Sequence, residues 1–164
     1  MPLILTLALD EASQARFDAL RTAHFPAGRH HVGAHVTLFH ALPDALAVRE
    51  DVRAAAAVPG FAVRVARLRS LGRGVAYVLE SEELAALRRD LASGWDRLLT
   101  PQDRRPHAPH VTVQNTVPPD RARALLADLS AGFLPYDVAA TGLAVWRYLG
   151  GPWEHVETAP FLAT

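Results

Sequence analysis

The sequence predicts an α+β fold built from a duplicated unit, each half running strand, helix, strand, helix, hairpin. Three observations carry this. First, His35-Val36-Thr37-Leu38-Phe39-His40-Ala41-Leu42-Pro43 recurs 75 residues on as His110-Val111-Thr112-Val113-Gln114-Asn115-Thr116-Val117-Pro118, with four identities and two aliphatic exchanges. Second, each copy follows a strand and a helix and precedes a helix, a Gly-Phe pair (Gly60-Phe61, Gly132-Phe133) and a hairpin pattern. Third, 164 residues, half of them hydrophobic and 21% charged, suit one domain over 1–164, formed as two small lobes sharing a core.

The elements follow in order. Leu3 to Leu9 is an apolar strand bounded by Asp10, which is placed to cap a helix over Glu11–His24 with Ala15, Phe17 and Leu20 on one side. Pro26, Gly28 and Gly33 mark a loop before a strand over His35–Leu42. Pro43-Asp44 opens a helix from Ala45 to about Ala57, with Asp44 as its expected N-cap, and Val58-Pro59-Gly60 breaks it. Phe61–Leu71 and Val75–Leu79 flank Gly72-Arg73-Gly74 as a hairpin. Ser81 caps a helix over Glu82–Leu99, without the Glu or Gln that would complete a capping box. A loop with three prolines spans Thr100–Pro109 and a strand runs from His110 to Val117. Pro118-Pro119-Asp120 opens a helix to about Ser130, and strands over Tyr136–Tyr148 and Trp153–Phe161 turn at Gly150-Gly151-Pro152.

Two absences exclude much chemistry. The chain has no Cys, hence no disulfide framework, thiolate nucleophile or Cys-ligated metal. All 17 basic residues are Arg; without Lys there is no Schiff base, no covalent Lys–nucleotide intermediate and no GxxxxGK[ST] phosphate loop. The 17 acidic residues balance the charge, against a large nucleic-acid-coating surface. Met1–Leu9 lacks a basic n-region and reads as a strand, and no apolar run reaches the roughly 18–20 residues of a membrane span, so the expectation is a soluble, cytoplasmic monomer.

In a strand, residues i and i+2 share a face. His35 with Thr37, and His110 with Thr112, therefore point together, away from Val36, Leu38, Val111 and Val113. Halves related by a pseudo-twofold axis bring both pairs to one cleft. Two imidazoles suit general acid and base work near neutral pH, and hydroxyls can hold an anion between them. A phosphodiester is the natural substrate: one His activates water or a hydroxyl while the other protonates the leaving oxygen.

The tetrapeptides His35-Val36-Thr37-Leu38 and His110-Val111-Thr112-Val113 resemble the paired His-x-Thr motifs of the 2H phosphoesterase superfamily, LigT-like (2′-5′ RNA ligase) group. The resemblance covers nearly the whole chain. It implies a bilobal fold with mainly antiparallel sheets around a central cleft. It implies metal-independent hydrolysis or transesterification of 2′,3′-cyclic phosphates or 2′-5′ phosphodiesters. His35 and His110 would be the catalytic pair and Thr37 and Thr112 the phosphate ligands, with no cofactor. The expected substrate is an RNA terminus, a short oligonucleotide or a cyclic nucleotide, with neither DNA nor membrane as partner. A non-catalytic nucleotide- or RNA-binding module, or a hydrolase of an ADP-ribose-type cyclic phosphate, are the alternatives.

Further contacts are expected around that cleft. Phe39 and Gln114, four residues past each motif histidine, share its face if the strands stay regular. Tyr77, Tyr148 and Trp153 are candidates for stacking a base. Arg104, Arg105 and His107 enter the second motif on a loop, and Arg64, Arg67, Arg69 and Arg73 make a basic hairpin whose default is a solvated face. His24, His30, His31 and His40 raise a metal reading with His35, which adjacent His30 and His31 and the lack of second-half equivalents disfavour.

Overall fold

In the computed structural model, described over residues 1–28 and 32–163, the strands are β1 (Leu3–Leu9), β2 (Val36–Leu42), β3 (Phe61–Ser70), β4 (Val75–Glu80), β5 (His110–Gln114), β6 (Tyr136–Tyr148) and β7 (Trp153–Pro160). The helices are α1 (Glu11–His24), α2 (Leu46–Ala55), α3 (Glu82–Gly94) and α4 (Pro119–Ser130). The strands form one antiparallel sheet in the order β2-β1-β6-β3-β4-β5, with β7 also on β6. The expected α+β class and antiparallel pairing are present.

One long strand joins the halves. β6 pairs with β3 over Tyr136–Ala140 and with β1 and β7 over its later residues. The first half is thus β2-β1-β6-β7, and the second is β5-β4-β3-β6. Each motif strand lies at an outer edge, and β2 and β5 approach one another, as the ends of a curled sheet.

One face of the sheet is packed and the other is concave. Leu3, Leu5, Leu7, Val36 and Leu38 turn to the helices in the first half; Val75, Tyr77, Leu79, Val111 and Val113 do so in the second. The helices cross over. α1 comes from the first half of the chain yet packs on the second half of the sheet, where Phe17 meets Tyr77 edge-on and Arg16 lies over Tyr136. α3 comes from the second half and covers the first, placing Arg88 over Phe39. Each half is therefore closed by a helix from the other.

Local chemistry moves several boundaries. Asp10 caps α1 as expected, through the Ser13 N–H (3.1 Å), and Ser81 caps α3 through that of Leu84 (3.1 Å). Asp44 does not cap α2: its carboxylate accepts from Arg147 Nε (2.8 Å), and Ala45 takes the N-cap position with no side-chain bond. α3 stops at Gly94, short of Leu99, as Trp95 turns into the core against Phe39 and donates to Asp51 (2.9 Å). β5 ends at Gln114, short of Val117. Gly74 meets it so closely that a Cβ there would lie 1.9 Å from the Gln114 carbonyl oxygen, and Thr116 follows with φ 58°.

Both motif strands carry a bulge at the same place in the repeat. Leu5 and Thr6 pair with Phe39 and Thr37, leaving Leu38 extra. Val75 and Ala76 pair with Gln114 and Thr112, leaving Val113 extra. The bulge turns the next side chain inward, and Phe39 is wholly buried between Trp95 and Arg88. Phe39→Ala should therefore lower unfolding stability by about 3–5 kcal/mol, measured by denaturant titration. A loss under about 1 kcal/mol would place this ring outside the core.

Candidate active site

The concave face gathers both motifs. Thr37 faces Thr6 across the β1–β2 ladder, and His110 and Thr112 face Val78 and Ala76 across β4–β5. His35 lies one residue before β2, not inside a strand, and is positioned by α1. Asp18 accepts the Ala34 N–H (2.7 Å), Gln14 donates to the Ala34 carbonyl (2.7 Å), and Arg21 donates to the Val32 carbonyl (3.1 Å).

The two histidines have matching surroundings. Nδ1 of His35 lies 2.8 Å from the Gly33 carbonyl oxygen, and Nδ1 of His110 lies 2.8 Å from that of Ala108. A carbonyl only accepts, so each Nδ1 carries the proton. Each Nε2 is then the working atom: a lone pair on neutral imidazole, a donor on imidazolium. Among the described residues, neither Nε2, nor the hydroxyls of Thr37 and Thr112, has a hydrogen-bond partner within the protein.

Two buried arginines hold these strands, each reaching from a helix of the other half. Arg21 of α1 donates to the Thr112 carbonyl (2.8 Å) in the second half. Arg88 of α3 donates to the carbonyls of Leu38 (3.1 Å), in the first half, and Asp103 (2.7 Å). Each guanidinium stacks on a phenylalanine, Phe25 at 4.2 Å and Phe39 at 4.0 Å. Neither forms an ion pair among the described residues.

The loop before β5 fastens the outer edge of β2. Asp103 is buried and accepts from the N–H groups of His40 (2.8 Å) and Ala41 (3.0 Å) and from His40 Nδ1 (3.0 Å). Burial disfavours its carboxylate, but these bonds prevail and hold its pKa below the ordinary value. His107 donates through Nε2 to the Thr37 carbonyl (2.9 Å), and burial lowers its pKa. His40 is thus tied to a carboxylate; His30 and His31, part of the same metal reading, lie outside the described residues.

The remaining expected contacts divide. Trp153 of β7 packs on His35, ring centroids 4.5 Å apart, and both line a cavity of about 530 Å³ with Trp146, His155, Thr6 and Thr158. A larger hollow of about 860 Å³ between α2 and α3 contains neither motif. Tyr148 faces Trp153 across the β6–β7 ladder but stays at the exposed rim, outside that lining. Phe39 and Gln114 do not extend the cleft, because the bulges break the i, i+2, i+4 alternation and bury both. Tyr77 faces the core against Phe17 and Phe133, and Arg104 pairs with Asp96.

A family model of the 2′-5′ RNA ligase superfamily matches residues 9–152. The chain belongs to that superfamily. Solved structures share its fold. The protein TT0787 of Thermus thermophilus is 19% identical over 98% of each chain, with a TM-score of 0.68. E. coli LigT complexed with 3′-AMP is 18% identical over 98% of this chain and 97% of that one, with a TM-score of 0.58. E. coli LigT complexed with NADP+ gives 19%, 98%, 97% and 0.60 in the same terms. At such identities the likeness is one of fold. No curated protein matches the sequence. Membership of this 2H phosphoesterase superfamily supports a phosphoesterase- or ligase-type enzyme. No helix among the described residues is long and apolar enough to cross a membrane.

The surroundings of His35 set its charge state. Burial pushes the His35 pKa down to about 4; the positive charges of Arg21, His110 and His40 add to this, and the Gly33 carbonyl opposes it. His35 is therefore neutral at pH 7, with a lone pair on Nε2. In an NMR titration its imidazole should change charge near pH 4, and Trp153→Ala should move that midpoint toward the ordinary value of about 6.5. A wild-type midpoint of about 6.5 would contradict the assigned burial.

Proposed function

We propose that this chain is a metal-independent phosphoesterase that opens 2′,3′-cyclic phosphates and cleaves 2′-5′ phosphodiesters at RNA ends, short oligonucleotides or small nucleotides. The observation that carries this reading is the matched pair of imidazoles. Each is held through Nδ1 by a carbonyl two residues earlier, and each has a free threonine hydroxyl on the same face. The LigT complexes with 3′-AMP and NADP+ support a nucleotide ligand in this fold.

In the proposed reaction His35 is the base and His110 the acid. Nε2 of neutral His35 takes a proton from water as its oxygen bonds to phosphorus. The bond from phosphorus to one ring oxygen breaks, and Nε2–H of protonated His110 donates to that oxygen. The product is a phosphomonoester beside a free hydroxyl. His35 then releases its proton and His110 regains one. With a 2′-5′ diester the neighbouring 3′-hydroxyl replaces water, the 5′-oxygen leaves and a cyclic phosphate forms; the reverse step is ligation. The hydroxyls of Thr37 and Thr112 donate to the non-bridging oxygens, where charge grows in the transition state. The wall of Trp146 and Trp153 offers a stacking surface to the base.

His35→Ala and His110→Ala should each slow turnover of a 2′,3′-cyclic nucleotide by roughly 10²–10⁴-fold, with wild-type turnover unchanged by EDTA. Rates close to wild type in either variant, or activity abolished by EDTA, would overturn the proposal. Cyclic-nucleotide binding without turnover across a wide substrate screen would favour a binding module instead.

A further inference from the structure

The concave face is asymmetric in charge. From Thr37 the row across the first half runs through Thr6 and Ala144 to Thr158, all uncharged. The matching row in the second half runs from Thr112 through Ala76 to Arg69, and the next from His110 through Val78 to Arg67. Arg64, Arg67 and Arg69 all leave β3 on this face, since Val63, Val65 and Leu68 take the core side around an extra residue at Ala66. Their charges have different fates. Arg67 pairs with Glu80 (2.9 Å), and Arg64 lies 3.9 Å from Asp137. Arg69 is exposed and, among the described residues, has neither a carboxylate nor a hydrogen-bond partner for its side chain.

We propose that Arg69 forms a subsite for a second phosphate, so that the site prefers a nucleotide chain with a phosphodiester next to the reacting phosphate over a mononucleotide. This rests on the reading of the two motifs as the reacting centre. Two strand spacings, about 10 Å, separate Arg69 from Thr112. Ala76 between them contributes only a methyl group and is itself wholly buried, and a gap of this order is within the combined reach of an arginine side chain and a bound phosphodiester. A guanidinium with free donors suits phosphate, which it grips with two parallel N–H bonds. The first half offers no such charge in its row and carries the tryptophan wall instead. The arrangement thus orients a substrate, with its terminal base against Trp153 and Trp146 and its chain across β4 and β3. On β3, an unpaired Arg69 beside a neutralised Arg67, on a chain of zero net charge, fits a short substrate and not an extended one.

The test is equilibrium binding, which does not depend on turnover. The probes are a dinucleotide with a terminal 3′-phosphate and one internal phosphodiester, and the mononucleoside 3′-phosphate with the same terminal base. Wild type should bind the dinucleotide about tenfold more tightly, and Arg69→Gln should bring the ratio near one. For the dinucleotide, the slope of log Kd against log salt should flatten by about 0.7 in that variant. Arg64→Gln, an equal charge loss on the same strand, should keep the preference. A wild type without preference, or an Arg69→Gln variant that retains it, overturns the subsite. A chain that shows the preference yet hydrolyses no phosphoester refutes the proposed reaction and leaves the subsite standing.

Discussion

The site depends on two buried arginines that reach across the molecule. Removing a guanidinium from water is costly unless its donors are used. Arg21 and Arg88 use theirs on backbone carbonyls, and each serves a motif strand. Their helices are exchanged between halves, so neither half closes alone. The motif strands are edge strands, with carbonyls and N–H groups that no further strand would pair. Arg21, Arg88, Asp103 and His107 bond to those edges or to the loops that lead into them. The cleft is thereby held before any ligand arrives, and preorganised donors and bases gain most from that.

The duplicated bulge serves the same end. A regular strand would carry Phe39 and Gln114 onto the concave face after His-x-Thr. The extra residues Leu38 and Val113 return the strands to the core one position sooner. Each motif presents a histidine and a threonine and then anchors itself inside. Bulges at equivalent positions in both copies make this a feature of the repeat unit.

Much of this was legible in the sequence. Alternating and helical patterns locate the strands and helices, and the 75-residue repeat pairs His35 with His110 and Thr37 with Thr112. What escaped has physical reasons. Period-two extrapolation passes through a bulge unaware, which misplaced Phe39 and Gln114. An amphipathic pattern shows that a helix has a buried face but not which half of the sheet receives it, so the crossing of α1 and α3 was hidden. Arg21 and Arg88 look like ordinary helix-surface residues in an Arg-only chain, and only their carbonyl partners reveal their part. Asp103 sits in a polar loop with no local signal of burial. Trp153 was visible as an aromatic at a turn, but its contact with His35 joins opposite ends of the chain.

The central claim is the proposed division of labour between the two imidazoles, in which His35 would take the proton and His110 would give one to the leaving oxygen. Replacing the 5′-oxygen of a 2′-5′ diester with sulfur tests it directly, because a thiolate leaves without needing a proton. His110→Ala should regain most of its lost rate on the sulfur substrate, while His35→Ala should remain slow. Rescue of His35→Ala, with His110→Ala still slow, would reverse the roles; rescue of neither variant would contradict acid–base catalysis by this pair.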